Sequence, residues 1–150
     1  HILPGADPVF LAPLVQLEDL FEIQPDPIAR LAALGGQDVE TRLRLSRHDQ
    51  RLLDSIRTLS VSARSAKVLG HIGGARAGQA ALLLKAAYAG QPVNAAALQD
   101  IVVGAEAVFP ISAKDLPGLS GPALGAELKR LKQVWFDSDL SKDKDALRAP

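Results

Sequence analysis

Breakers cut this chain at short intervals, and they limit its possible folds more than any other feature does. Pro25-Asp26-Pro27, Gly35-Gly36, Gly73-Gly74, Gly90-Gln91-Pro92 and the run Pro117-Gly118-Leu119-Ser120-Gly121-Pro122 divide it into segments of helical length. Proline removes a backbone donor and glycine favours a chain reversal, so helices stop or bend at these points. Between the breakers apolar residues recur every three or four positions, and few segments alternate with period two. Even the β-branched Ile101, Val102 and Val103 sit inside a helical pattern. The expected fold class is all-α with no sheet: an irregular multi-helix body over residues 1–108 and a small helical tail over 109–150.

The segments can be placed from their caps and faces. Leu14, Leu17, Leu20 and Phe21 form one face over Pro13 to Glu22, and Pro27 opens a helix that runs to Leu34 and stops at Gly35-Gly36. Asp38 to Leu45 is short and charged. Ser46 suits the N-cap of the next helix, with Asp49 supplying negative charge to the first turn and Leu52, Leu53, Ile56 and Leu59 facing inward. A helix through Val68, Leu69 and Ile72 closes at Gly73-Gly74, and Gln79 to Ala89, charged only at Lys85, is the expected most buried helix. Asn94 caps Ala95 to Ala107. In the tail, Ser112 caps a short helix towards Leu116, and Pro122 opens a long one with Leu124, Leu128, Leu131 and Trp135 on one face.

With 150 residues, 47% of them hydrophobic, the chain can bury a core without staples. It has no cysteine, which excludes disulfides, Cys-ligated zinc, iron–sulfur clusters and thiol catalysis. No stretch has the length of uncharged apolar residues that a membrane span needs, and no secretory leader pattern is present, so the expectation is a soluble, cytoplasmic protein without membrane contact. The absence of methionine and the start at His1 suggest a fragment with an N-terminal neighbour.

The formal net charge is zero, but its distribution is uneven. Residues 1–27 carry five acids and no Lys or Arg, residues 28–89 carry ten bases against four acids, and residues 90–136 balance at four each. An Arg-rich middle fits an anionic partner, or simply solvated helix faces. The bend at 117–122 is open to two readings as well. Gly118, Gly121 and Gly125 beside Pro122 would let a ligand approach the backbone at a helix N-terminus, which is an anion site with unpaired N–H groups; a plain helix–helix turn needs the same glycines.

Other chemistry fits poorly. Gly73 to Ala80 has the glycine spacing of a Walker loop but places Gln79 and Ala80 where Lys and Ser/Thr belong. His48 and His71 lack metal-ligand spacing, and Asp137 and Asp139 follow a helix in an acidic stretch instead of standing on a rigid strand beside a nucleotide pocket. Glu18, Asp19 and Glu22 read as a solvated acidic face.

Three segments in order carry a family resemblance. They are Pro25-Asp26-Pro27 through Arg30-Leu31-Ala32-Ala33-Leu34; Leu43-Arg44-Leu45-Ser46 before a charged helix; and Phe109-Pro110-Ile111 through Asp115-Leu116, then Gly121-Pro122-Ala123-Leu124-Gly125, Trp135 and Ser138-Asp139-Leu140. Together they resemble the C-terminal part of bacterial CCA-adding tRNA nucleotidyltransferases and their poly(A) polymerase relatives. Ala113 stands where that family usually has glycine, and the loop from Leu116 to Gly121 is shorter.

The resemblance implies the body and tail of an enzyme of tRNA 3′-end processing. Its catalytic head, with magnesium and CTP or ATP, would precede His1, leaving no catalytic residue, metal or cofactor in this chain. The implied partners are tRNA, gripped at elbow and acceptor stem, and the protein's own N-terminal catalytic domain. The implied RNA contacts are Lys114, Ser120, Gly121, Lys129, Arg130 and Lys132 in the tail, with Arg44, Arg47 and Arg51 in the body. Two alternatives differ in class. Leu116-Pro117-Gly118-Leu119 also resembles the helix-hairpin-helix of DNA repair proteins, with Ser120 as an extra residue, and the neutral net charge suits a helical protein-interaction module.

Overall fold

The computed structural model describes residues 3–149. It is all-α: eight helices, two short 3-10 turns and no strand among the described residues, with one isolated antiparallel bridge between Ala6 and Gly35. The chain divides into two compact units, His1–Ala105 and Glu106–Pro150.

In the first unit the helices are α1 (Leu11–Leu20), α2 (Pro27–Leu34), α3 (Val39–Arg42), α4 (Arg47–Ser60), α5 (Ala66–Ala89) and α6 (Ala95–Glu106, whose last residue falls in the second unit). Helix α1 starts before Pro13, because a proline in the first turn forfeits an N–H that has no helical partner there. It ends at Leu20, where Glu22 turns left-handed (φ 53°) and the Ile23 N–H closes back on the Glu18 carbonyl at 2.8 Å. Asp26 caps α2 by accepting from the Ile28 and Ala29 N–H groups at 2.9 and 3.4 Å.

Helix α3 is shorter than the expected Asp38 to Leu45, since Arg44 adopts a left-handed φ of 51° that no helix continues through. Ser46 caps α4, as expected, by accepting from the Asp49 N–H at 3.1 Å. The two helices expected on either side of Gly73-Gly74 are continuous apart from a kink at Gly74, whose φ of 81° and ψ of 174° are accessible essentially to glycine alone. The second begins directly after the kink, upstream of Gln79.

Leu14, Leu53, Ile56, Leu69, Leu84 and Ile101 are at most 1% exposed and form the centre of this unit's core. Each such side chain contributes about 1.5–3 kcal/mol of transfer free energy. The expected burial of α5's second half is observed: Ala80, Ala81, Leu83, Leu84 and Ala87 are all buried.

Helix α6 reaches α5 through glycines. A Cβ on Gly104 would lie 1.8 Å from the Lys67 carbonyl oxygen, and one on Gly70 would lie 2.0 Å from that of Ile101. Gly78 packs beside the same crossing, with Gly70 and Ile101 as neighbours. The glycine spacing that mimics a Walker loop therefore ends in a packing residue.

The second unit holds α7 (Gly121–Asp137) and α8 (Lys144–Arg148) around Ile111, Leu131, Trp135 and Leu147. The Phe109 ring lies 5.4 Å from that of Trp135. Ser112 and Asp115 form a reciprocal capping box around the 3-10 turn Ala113–Asp115, and Asp143 caps α8 through the Ala146 N–H at 2.8 Å. Leu128 packs against this core, while Leu124, one turn earlier on the same stripe, is half-buried.

Candidate nucleic-acid interface

The bend before α7 is built by two left-handed glycines, Gly118 at φ 89° and Gly121 at φ 53°. No atom lies within 4 Å of where a Cβ would stand on either one, so the backbone there is open. Ser120 occupies the N-cap of α7 with extended backbone, yet its side chain makes no capping hydrogen bond. Pro122 has no N–H to offer, and the Gly121 and Ala123 N–H groups donate to nothing among the described residues. The first turn of a 17-residue helix thus presents two unpaired donors at its positive end.

The predicted cations differ in how committed they are. Arg130 donates from Nε and Nη2 to the Glu127 carboxylate at 2.9 and 2.7 Å, so its planar fork is occupied. Lys129 is exposed and makes no ion pair among the described residues, and the exposed Lys132 places its ammonium 5.8 Å from the Phe136 ring centroid. Lys114 is exposed in the 3-10 turn. Beside the bend lies a hollow of about 360 Å³, where Leu116, Pro117 and Leu119 face Arg130 and Arg148.

Arg148 escapes sequence reading because residues 137–150 look like an acidic end. The signal that points to it is the Asp143 cap followed by Leu147, which marks a short helix anchored to the core. Asp115, at the same hollow, is held at a pKa of about 2, first by the Lys144 ammonium 2.7 Å away and then by the Ser112 N–H and hydroxyl.

In the first unit Arg47 and Arg51 stand one turn apart on α4, and Arg44 lies on the connection just before it. All three are exposed and without an ion partner among the described residues. Other arginines of this Arg-rich stretch are engaged: Arg30 with Glu18, Arg57 with Glu40 and Arg76 with Asp26. Burial alone would push the Asp26 carboxyl up, but the Arg76 guanidinium and two backbone N–H groups together hold it below its ordinary value.

Fold and bend define an all-α protein of two small helical units, with exposed cations in both and open backbone in the second. No helix among the described residues is long and apolar enough to cross a membrane. No family model, curated protein or solved structure matches the chain.

Proposed function

We propose that this chain is the RNA-gripping body and tail of a tRNA nucleotidyltransferase or poly(A) polymerase, acting beside an N-terminal catalytic domain that handles CTP or ATP with magnesium. The observation that carries the reading is the bend itself: open glycine backbone and unpaired N–H groups at the start of α7. A phosphate oxygen there would accept from Gly121 and Ala123, with the Ser120 hydroxyl as a further donor. Lys129 and Lys132 add screened attraction from the same helix. Shape and backbone contacts suffice for folded RNA, whose A-form helices hide their base edges in a deep groove.

The test is binding of the chain to unmodified tRNA and to duplex DNA of equal charge across a salt series. A preference for tRNA that steepens at low salt, and that weakens in the K129A/K132A double variant, is the expected result. Equal binding to both ligands favours a hairpin-type DNA contact. No binding to either at low salt removes the nucleic-acid reading.

A further inference from the structure

The hollow of about 360 Å³ beside the bend lies wholly within the second unit, and its lining is of two kinds. Leu116, Pro117 and Leu119 give it an apolar side, and Leu119, 40% exposed, keeps that side open to solvent. The rest is charged. Asp115 is paired with Lys144 and Glu127 with Arg130, so each lining carboxylate is compensated. Arg148 is the lining charge without an ion partner among the described residues. The hollow thus carries one surplus cation and no surplus anion.

Arg130 matters through the way it is held. Its Nε and Nη2 donate to the two Glu127 oxygens at 2.9 and 2.7 Å, a bidentate pair that fixes the guanidinium plane, while 61% of its side chain stays exposed. A fork already filled by a carboxylate is a poor grip for phosphate. Its flat face, however, stacks on a π-system without giving up either bond. A fixed guanidinium plane, an apolar side and one uncompensated cation in a single hollow match the parts of a nucleotide, a flat base and an anionic phosphate.

We infer that the hollow takes one unpaired nucleobase of a bound RNA, stacked on the Arg130 guanidinium and seated against Leu116 and Leu119, with Arg148 on the phosphate of the same nucleotide. This role rests on the RNA reading. It sets Arg130 apart from Lys129 and Lys132, which supply charge without a stacking plane. Other ligands fit less well. A paired base keeps its faces inside the duplex stack, an inorganic anion leaves the apolar side unused, and an uncharged apolar ligand leaves Arg148 without a counter-charge. Every base has a π-face, so the slot reads that a base is unpaired and not which base it is.

The test is fluorescence anisotropy of the full chain with two labelled hexamers across a salt series: hexaadenylate RNA, and a chain of abasic ribose phosphates of equal length and charge. The adenylate is expected to bind about ten-fold more tightly at each salt concentration with the same logarithmic slope, because only the bases differ. R130K keeps the charge and removes the plane, and L119A trims the apolar side. Each should cut the base preference to about two-fold or less, with slope and helical circular dichroism unchanged. Both residues are exposed, so neither change disturbs the core. K129A and R148A remove charge alone; each should weaken both hexamers equally and lower the slope by about 1. Equal binding of the two hexamers, or a base preference that survives R130K and L119A, overturns the slot and leaves the phosphate-gripping reading standing. Binding of tRNA with neither hexamer bound overturns it as well. If tRNA and both hexamers fail to bind at low salt, the RNA reading falls and the slot with it.

Discussion

Gly70 and Gly104 have no room for even one more carbon, and their opposite number is Gly125. At the first two, a Cβ would meet a carbonyl oxygen of the facing helix, and backbone cannot rotate aside as a flexible side chain can. G70A or G104A must therefore push α5 and α6 apart, at an overpacking cost of about 1–3 kcal/mol or more. Gly125 sits exposed within α7 with nothing within 4 Å, so G125A is expected to stabilise by about 0.5–1 kcal/mol through helix propensity. Urea unfolding of the three variants checks both signs. A destabilised G125A would mean that the outer face of α7 is not free. The tail cations divide in a similar way: Arg130 is held by Glu127, whereas Lys129 has no ion partner among the described residues.

Among the elements, the 3-10 turn Ala113–Asp115 has the clearest pH signature. Its Asp115 carboxyl accepts from the Ser112 N–H and hydroxyl at 2.8 and 2.9 Å and from Lys144 at 2.7 Å, which joins α8 to the turn. The folded value of about 2 lies below the ordinary 3.8, so the charged form is favoured by folding. The resulting stability is complete above about pH 4 and is lost as pH falls towards 2. Trp135, the only tryptophan and a core residue of this unit, gives a fluorescence readout of its acid unfolding. D115N should lower that unit's stability at neutral pH and flatten its loss below pH 4; a D115N profile parallel to wild type would show that the carboxyl does not hold the turn.

For the whole molecule, charge separates into committed and available cations. Ion pairs occupy Arg30, Arg57, Arg76, Arg130 and Lys144, whereas Arg44, Arg47, Arg51, Lys129 and Lys132 belong to the exposed charges without ion partners among the described residues. If both units engage one tRNA, their counterion release adds. The logarithmic salt slope should then fall by about 1–2 in R47A/R51A and again by about 1–2 in K129A/K132A. Salt-dependent filter binding of the quadruple variant measures the sum. A slope that responds to only one pair confines RNA contact to one unit, while R76A, which removes a paired arginine, should leave the slope unchanged.

Caps, breakers and apolar period act within a few residues of chain, so they are legible in the sequence by itself. Asp26-Pro27 with Gly35 bounds α2, Ser46 opens α4, Asn94 opens α6, and the Ser112–Asp115 box, Pro122 and Trp135 outline the tail, because each depends on local φ/ψ and on one face needing burial. The Glu127–Arg130 pair is legible too, at i,i+3, though a count of charges alone hides it. What tertiary packing alone decided involves residues far apart in sequence: that Gly70 and Gly104 stand at a backbone contact, that Glu18 is a buried carboxylate shared with Arg30 and not a solvated acidic face, and that Arg148 comes to rest beside the bend. Helical period places a side chain on one face of its own helix. Which surface that face meets is set by the competition of all the helices for burial, and this decides whether a glycine is a turn or a contact and whether a charge is solvated or enclosed.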